Sequence, residues 1–514
     1  MTSIAQTSTA GPVAETATGK VRGYANGPIS VFKGIPYGAT TAGAHRFARA
    51  RKPQPWKGVR DATRLGARSP QLPAAGIIPE EVVAFANEPM CEECLFLNVW
   101  TPALRDGRKR PVMVWLHGGG YFAGSGGQDR YDGTRLASNH DVLVVTLNHR
   151  LNVFGHLYLG EIAGERYADS GNAGILDIVA ALEWIRDNIA EFGGDARNVT
   201  IFGESGGGGK VITLMAMPAA AGLFHRAIAQ SGVALRQATR EDATKNATAV
   251  LKQLGLAPKD WKQLFEISAE QLLNATRDMR PQPCFTPVVD GYSLPRHPFD
   301  PDAPEISRDV PLIVGSNATE VTFFSDTPLD PIDQATLRMH LQRFLRVEDA
   351  EASELIALYR KSRPTVSNEH LYQLIASDYW MSSDVATLAE RKSAACAAPV
   401  YVYRFEKETP VRDGKLRSVH GLEIPYVFDN LDVPTAPALT GTEADRYPLA
   451  RTMSRAWTTF ARTGAPNGEG LAHWPPYTAE KRNVMIFDTT TRLETDPHRE
   501  ERLAIAAIRK RQIA

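Results

Sequence analysis

The stretch Val199-Thr200-Ile201-Phe202-Gly203-Glu204-Ser205-Gly206-Gly207 decides the fold of this 514-residue chain. Its first four residues are typical of a strand buried on both faces, and the apolar run 211–215 that follows can continue as a helix. A serine at such a strand-to-helix turn stands clear of the sheet, since the flanking glycines let the backbone pass without a Cβ clash. A phosphate-binding loop is the alternative, but it requires a Lys-Ser/Thr pair, and Lys210 is followed by Val211. The stretch therefore predicts an accessible hydroxyl at position 205.

Further apolar runs extend this strand into a sheet. Four of them have the continuous apolarity of strands in a parallel sheet: Val112–Leu116, Val142–Leu147, Val310–Val314 and Val400–Tyr403. One helix precedes the stretch at 199, because apolar residues recur every three to four positions from Ile175 to Phe192. Gly193-Gly194 suits the end of that helix. The alternation predicts an α/β fold with a mostly parallel central sheet covered by helices.

The rest of the chain predicts additions to this core rather than an independent second domain. Residues 1–14 are expected to form a disordered leader, and residues 15–514 a single domain. Segments at about 240–280 and 333–395 are polar-faced and helical, which suits insertions that cap the active edge of the sheet. Later helices are expected at 443–463 and 504–511.

Charge and hydropathy exclude several classes of partner. Lys plus Arg equals Asp plus Glu at 58 each, so the formal net charge is zero. Such a balance gives no footprint for nucleic acid and no long-range steering of an ionic substrate, which favours a neutral small molecule. No run approaches the ~18 consecutive apolar residues of a membrane span, and residues 1–20 lack a signal-peptide core. A cytoplasmic protein without membrane partners is expected; the oligomeric state is not readable from the sequence.

The four cysteines do not predict a metal centre. Cys91 and Cys94 form a CxxC pair, which suits a redox pair or half of a zinc site. A structural zinc needs a second pair, but Cys284 and Cys396 are isolated. A redox pair usually opens a helix, whereas this one leads into the strand-like run 95–100. Reduced thiols with a packing role are the favoured interpretation.

A second glycine-rich segment follows the predicted strand that ends at Leu116. It reads His117-Gly118-Gly119-Gly120-Tyr121. Three consecutive glycines after a buried strand expose backbone N–H groups, and a loop in this place supplies oxyanion donors in lipases and esterases. A flexible hairpin tip is the alternative.

A serine nucleophile needs a base, and the base needs an acid that fixes its tautomer. The histidines well beyond Ser205 are His225, His297, His340, His370, His420, His473 and His498. Of these, His420 follows the strand near Val400 at loop distance, as a base at the sheet edge should. Glu320 follows the run 310–314, but spacing alone favours a solvated surface charge there.

Many ordered motifs carry a resemblance to one family. They are Phe32-Lys33-Gly34-Ile35-Pro36-Tyr37, Glu93-Cys94-Leu95-Phe96-Leu97-Asn98-Val99, His117-Gly118-Gly119-Gly120, Asn148-His149-Arg150-Leu151, Phe192-Gly193-Gly194-Asp195, Val199-Thr200-Ile201-Phe202-Gly203-Glu204-Ser205, Gln230-Ser231-Gly232, Pro287-Val288-Val289-Asp290-Gly291 and Thr463-Gly464-Ala465-Pro466-Asn467. From about residue 15 to about residue 490 the chain resembles the type-B carboxylesterase/lipase family of the α/β-hydrolase superfamily. That group includes bacterial para-nitrobenzyl-esterase-like enzymes, animal carboxylesterases and cholinesterases.

The resemblance implies an α/β-hydrolase fold and a residue-by-residue assignment. Ser205 matches the nucleophile, Glu320 the acid and His420 the base. The matching oxyanion donors are the amides of Gly119, Gly120 and Gly206. The function implied is hydrolysis of neutral carboxylic esters through an acyl-enzyme, without a metal or other cofactor. An imidazole base predicts activity that rises through about pH 6–7.

Two alternatives to ester hydrolysis stay open. The same triad serves carbamate or amide hydrolysis and transacylation, which differ in pocket shape and water access. A non-catalytic binding relative of the fold would lose the nucleophile, and this chain retains every matched part. Phe285, Phe324, Tyr379 and Trp380 are candidates for a hydrophobic gorge or for plain core.

Departures from the family pattern are informative. Relatives commonly have alanine after the nucleophile, where this chain has the run Gly206–Gly209. Close packing or a roomy acyl pocket would explain it. Secreted relatives pair the cysteine that matches Cys94 with an earlier one, and Ser69 falls about where that partner would be. No tryptophan occurs between Trp56 and Trp100 to stack on choline, so a choline-ester role is not expected.

Overall fold

An eleven-stranded sheet, counted over the described residues, organises the molecule. The computed structural model describes residues 11–72, 88–279, 284–395, 397–468 and 470–513. The strands in chain order are β1 (Val13–Thr16), β2 (Gly19–Arg22), β3 (Tyr24–Asn26), β4 (Ile29–Pro36), β5 (Val59–Asp61), β6 (Phe96–Thr101), β7 (Arg110–Leu116), β8 (Leu143–Leu147), β9 (Gly194–Glu204), β10 (Arg226–Gln230), β11 (Ala238–Thr239), β12 (Val288–Val289), β13 (Leu312–Asn317), β14 (Val400–Phe405), β15 (Asn483–Phe487) and β16 (Arg492–Thr495).

Helices cover both faces of this sheet. In chain order they are α1 (Thr134–His140), α2 (Asn152–His156), α3 (Gly160–Ala163), α4 (Ala173–Asn188), α5 (Gly206–Leu214), α6 (Arg240–Gln253), α7 (Ala269–Asp278), α8 (Gln334–Leu345), α9 (Asp349–Ser362), α10 (Asn368–Ser377), α11 (Ser383–Ala395), α12 (Ile424–Val427), α13 (Pro437–Thr440), α14 (Arg446–Thr463) and α15 (Arg499–Ile513).

The strand order of the large sheet is β16-β15-β14-β13-β10-β9-β7-β8-β6-β4-β3. From β15 across to β8 every neighbouring pair is parallel, and antiparallel pairs occur at the two margins. β9 lies between β7 and β10, with Ile201 opposite Val114 on one side and Ala227 on the other. Parallel strands bring their carboxyl ends to one edge, so the loops after β7, β9, β13 and β14 meet there. This confirms the predicted fold class.

Alternate residues of the central strands face two separate cores. In β7, Val112, Val114 and Leu116 are packed in the same core as α4, whereas Met113 and Trp115 are packed with α12 and α14. All five side chains are fully buried. Two-sided burial is the reason these strands are continuously apolar in sequence.

The predicted strands and helices are present, with shifted ends. Predicted strand 310–314 is observed as Leu312–Asn317, and the helix expected at 443–463 begins at Arg446. α4 is followed by a 3₁₀ turn, Ile189–Phe192, and Gly193 ends it with φ +83°, a left-handed conformation that suits glycine. The expected helix 504–511 belongs to the longer α15. The segments near 240–280 and 333–395 contain α6 and α7, and α8 to α11, respectively.

The expected disordered leader, residues 1–14, overlaps the first strand, which begins at Val13. Val13 and Ala14 belong to β1, which pairs with β2, and Ala14 is fully buried because it faces the main core. Residues 1–10 lie outside the described residues.

Two further features concern membrane spans and metal ligands. In the described parts of the chain, no helix has both the length and the apolarity that crossing a bilayer requires. The same residues contain no group of three or more His, Cys, Asp or Glu side chains arranged to hold a metal ion. Cys91, Cys94 and Cys284 are free thiols, and Cys396 lies outside the described residues.

Candidate active site

Ser205 occupies the sharp turn between β9 and α5. Its backbone has φ 58° and ψ −125°, a region that non-glycine residues rarely adopt and that costs of order 1–3 kcal/mol. The Ser205 N–H donates to the carbonyl oxygen of Gln230 at the end of β10, which helps to hold the turn. Ser205 and Gly206 are partly exposed, whereas their neighbours Glu204 and Gly207 are buried. The serine therefore presents its side chain to solvent from an otherwise packed turn.

Glu320 and His420 are joined in the buried region beside this turn. His420 Nδ1 and Glu320 Oε2 are 2.5 Å apart, and both side chains are at most 2% exposed. Glu320 is held from the other side, since its Oε1 accepts the N–H of Asn317 at 2.7 Å. The solvated surface charge that spacing alone favoured for Glu320 is therefore wrong. The loop after β13 returns the carboxylate to the interior.

Several of the other candidate histidines have separate roles in the fold. His225 Nδ1 accepts the N–H of Val199, and His297 Nδ1 accepts the N–H of Gln237. His498 lies against the guanidinium of Arg363. Within the described residues, His420 is the histidine that contacts Glu320.

The second ring nitrogen of His420 faces Glu204 rather than Ser205. Nε2 is 3.1 Å from Glu204 Oε1, but the two atoms are not aligned for a hydrogen bond, and neither has a hydrogen-bond partner. No hydrogen bond between the Ser205 hydroxyl and His420 is formed among the residues described. The imidazole is thus linked to the nucleophile turn through Glu204, the residue that precedes Ser205.

Three buried carboxylates set the electrostatics of His420. Burial lowers the pKa of the imidazole, but the charges of Glu204 and Glu320 outweigh it and raise the pKa to about 9. Burial and the neighbouring carboxylate of Glu204 raise the pKa of Glu423 to about 8, so Glu423 is largely protonated at neutral pH. Burial also raises the pKa of Glu204. The ring is thus a stronger base than the expected profile through pH 6–7 assumes.

The glycine segment after β7 lies against the nucleophile turn. Gly119 and Gly120 have φ +87° and +63°, and a Cβ at Gly119 would overlap the carbonyl group of Ala123. No acceptor for the backbone N–H of Gly119, Gly120 or Gly206 is found within the described residues. All three positions are partly exposed. They form a set of main-chain donors beside Ser205 that suits a developing negative charge.

Close packing explains the glycine run at the start of α5. A Cβ at Gly206 would lie 2.5 Å from Gly120 Cα, and one at Gly207 would overlap the carbonyl of Leu116. A Cβ at Gly208 would lie 2.7 Å from the carbonyl oxygen of Gly232. Of the two explanations considered from sequence, close packing is the one that these distances favour.

Aromatic rings border His420, and only some of the predicted gorge residues are among them. Trp380 and Phe323 have ring centroids 5.4 Å and 4.8 Å from the imidazole, and Phe324 packs on Trp380 at 4.7 Å. Trp380 sits in a π-helical turn, Asp378–Ser382, a distortion often found at functional sites. Tyr379 instead packs against Phe344 in the helical insertion. Phe285 lies in the separate core beneath α6 and α7.

Sequence reasoning missed three ionisable residues at this site. They are Glu204 and Glu423, both facing His420, and Lys210, which lies behind the glycine segment. The available signal was their position within the motifs, since Glu204 precedes the nucleophile and Glu423 is three residues beyond His420.

Known proteins resemble this chain over nearly its whole length. The model of the "Carboxylesterase family" matches residues 10–505. Para-nitrobenzyl esterase of Bacillus subtilis is 36% identical over 500 residues, covering 95% of this chain and 97% of the relative. The chain belongs to the carboxylesterase family.

Other relatives and solved structures extend the match. Phenmedipham hydrolase of Pseudarthrobacter oxydans is 33% identical, with 92% of this carboxylesterase and 94% of the relative covered. A PNB esterase structure superposes with a TM-score of 0.80 at 35% identity, over 96% of this chain and 99% of the other. A carboxylesterase structure from Geobacillus stearothermophilus gives a TM-score of 0.80 at 37% identity over the same shares. This carboxylesterase therefore has the α/β-hydrolase fold and is a carboxylic ester hydrolase.

The position expected for a disulfide partner in secreted relatives is occupied by Ser69. This side chain is buried and lies beside the Cys94 thiol. Burial raises the pKa of Cys94 well above its ordinary value, which keeps the thiol protonated and unreactive. The interpretation of Cys94 as a packed, reduced thiol agrees with this environment.

Proposed function

We propose that this carboxylesterase cleaves neutral carboxylic esters by acyl transfer through Ser205, His420 and Glu320. In the first step His420 Nε2 removes the proton of the Ser205 hydroxyl, and the oxygen attacks the ester carbonyl carbon. Glu320 accepts the Nδ1–H of the ring, which fixes the tautomer that leaves Nε2 free and stabilises the imidazolium. The N–H groups of Gly119, Gly120 and Gly206 hold the oxyanion of the tetrahedral intermediate.

The intermediate then collapses to an acyl-enzyme. The C–O bond to the alcohol breaks, and the imidazolium donates its proton to the departing oxygen. Water attacks the Ser205 ester in the second step, with His420 again taking the proton and the same N–H groups holding the oxyanion. The carboxylic acid leaves, and the hydroxyl of Ser205 is restored.

The observation that carries this proposal is the buried contact of 2.5 Å between His420 Nδ1 and Glu320 Oε2 next to a serine at positive φ. Ser205→Ala tests it. Turnover of a p-nitrophenyl ester is expected to fall by at least about 10⁴-fold, with an unchanged melting temperature or a rise, since the strained turn loses no packing. Near-normal turnover by Ser205→Ala would overturn the proposal.

The proposed substrate class follows from the surroundings of His420. Trp380, Phe323 and Phe324 give the region beside His420 an apolar wall, which suits uncharged acyl or alcohol groups. Two of these residues precede the helical insertion that starts at α8, and Trp380 lies within it, so the insertion forms part of the cap over the site. A set of esters in which acyl and alcohol size vary independently would identify which side of the scissile bond this wall serves.

The proposed compartment is the cytoplasm. It is supported by the replacement of a disulfide partner by Ser69 and by the three free thiols described, since disulfides persist mainly in oxidising compartments. Fractionation of producing cells is expected to place the esterase activity with cytoplasmic markers.

A further inference from the structure

A buried lysine behind the glycine segment plays no part in the steps above. Lys210 lies on α5, five residues beyond Ser205, and is fully buried. Its Nζ donates to the carbonyl oxygen of His117 and to that of Gly120, each at 2.9 Å. Buried ammonium groups are rare because removing one from water is costly. In this protein the buried lysine lies against the loop that presents the oxyanion donors.

The two carbonyls bound by Lys210 are those of the first and last residues of the segment His117–Gly120. One amine therefore ties together both ends of the loop, and Gly119 lies between them. Gly119 and Gly120 lack a Cβ and adopt positive φ angles, so this backbone has more conformational freedom than one built of other residues. A loop built for close approach thus depends on outside contacts to hold its amides in place.

The glycine run in α5 is what lets the lysine reach these carbonyls. Without side chains, Gly206 and Gly207 bring the first turn of α5 against the backbone of Gly120 and Leu116. Lys210 then lies on the second turn, facing the loop from behind, with its Nζ 5.7 Å from the centre of the Tyr121 ring. The run of glycines and the lysine are two parts of one arrangement.

We propose that Lys210 is a positioning residue that fixes the loop Gly118–Gly120, so that its amides are aligned for the oxyanion before substrate binds. This inference rests on the proposed function of Ser205. Lys210 does not touch the reacting atoms and acts through the main chain of the loop.

The charges around Lys210 are consistent with this role. It faces Glu204 from β9, His117 from the end of β7, and His149 and His156 from the segment after β8. Burial holds the pKa of all three histidines low, so they stay neutral, and burial lowers the pKa of Lys210 to about 7. A neutral amine retains two N–H groups, one for each carbonyl. The positioning contact therefore does not depend on the protonation state.

Lys210→Met, which keeps the apolar stem of the side chain and removes its donors, tests the inference against a matched control. Lys392 on α11 is also fully buried and donates to the backbone carbonyls of Ser307 and Arg308 at 2.6 and 2.9 Å, away from the oxyanion loop. Lys392→Met therefore removes the same kind of contact.

Both variants are expected to lose thermal stability. Lys210→Met is expected to lose about 10–100-fold in kcat with KM within threefold, because loss of an oxyanion donor itself costs ~10²–10³. Lys392→Met is expected to keep kcat within twofold.

A transition-state analogue gives a readout that a merely structural lysine would not change. The affinity of a trifluoromethyl ketone should fall in Lys210→Met by the same factor as kcat/KM, and should be unchanged in Lys392→Met. Lys210→Gln keeps two N–H donors on a shorter side chain and provides the second variant if methionine prevents folding; it should recover part of kcat. Equal kcat in the Lys210 and Lys392 variants would overturn the inference, as would a loss confined to KM. If Ser205→Ala is inactive in that case, the proposed function stands; turnover by Ser205→Ala would overturn both.

Discussion

The two halves of the site are built by different means. The nucleophile half, formed by the β9–α5 turn and the glycine segment after β7, is an assembly of backbone against backbone, in which a Cβ at Gly206 would lie 2.5 Å from Gly120 Cα. The acid–base half, formed by the loops after β13 and β14, is an assembly of side chains, in which Glu320, Glu204 and Glu423 surround His420. Backbone packing therefore sets the position of the oxyanion donors in one half, and charge sets the pKa of His420 in the other. Substitutions in the two halves should therefore change different kinetic properties.

Apart from removal of the nucleophile itself, the largest effect is expected from the charged half. Glu320→Gln keeps the shape of the side chain but removes the carboxylate that accepts Nδ1–H, so the imidazole loses both its tautomer and its counter-charge. The expected loss in kcat is about 10³–10⁴-fold, measured with a p-nitrophenyl ester at neutral pH.

Glu423→Gln provides the matched control for Glu320→Gln. Glu423 is an equally buried carboxyl group near the same ring, but with a pKa of about 8 it is largely uncharged at pH 7. Its replacement should cost less than about tenfold in kcat, since a neutral group replaces a neutral group. Equal losses in the two variants would show that charge at Glu320 is not what matters.

The next effect tests the backbone-packed half. In Gly206→Ala the added Cβ pushes against the main chain of Gly120, so the loop must move away and the oxyanion donors are displaced. We expect kcat to fall by about 10²-fold with little change in the pH profile. Gly209→Ala is the control, because its closest contact would be the Tyr121 hydroxyl, at 2.8 Å, and a side chain can move. If Gly206→Ala keeps full activity, the close approach of α5 to the loop is not needed for turnover.

The smallest effect concerns the pH profile. The pKa of His420 is raised to about 9, so the ring is protonated and inactive as a base below that pH, and kcat/KM should rise with pH up to about 9 rather than level off near 7. Glu204→Gln removes a charge that raises this pKa, so the rising limb should move to lower pH, by about 1–3 pH units.

The pH profiles of wild type and Glu204→Gln are measured as kcat/KM against pH for one neutral ester. Gly206→Ala serves as the comparison, because it alters the backbone-packed half and should leave the limb where it is. A wild-type limb centred near pH 6–7 that does not move in Glu204→Gln would contradict the charge environment described for His420.

The contrast between backbone packing and side-chain charge also explains which parts of the site could be predicted from the sequence. The strand, the turn at Ser205 and the glycine segment are local patterns, because backbone geometry of that kind restricts the residues at adjacent positions. Glu320 could not be identified from spacing. A carboxylate after a strand has the same sequence pattern whether the loop faces solvent or folds back on a histidine 100 residues later. Resemblance to the family was needed to select it.

The contacts of Lys210 and Glu204 could not be predicted for a related reason. The sequence offers Lys210 only as a candidate for a phosphate loop, because its partners are main-chain oxygens 93 and 90 residues earlier. Glu204 adjoins Ser205 in sequence, but its contact with His420 spans two loops. Long-range side-chain contacts depend on the final packing, and periodicity contains no information on them.

Covalent labelling with a fluorophosphonate tests most directly whether one serine is activated by the buried His420–Glu320 pair. Intact-protein mass spectrometry should show one adduct per chain, located on Ser205 by peptide mapping, with a labelling rate that falls at least about 10³-fold in Glu320→Gln. An adduct on another residue, or an equal labelling rate in that variant, would contradict the account.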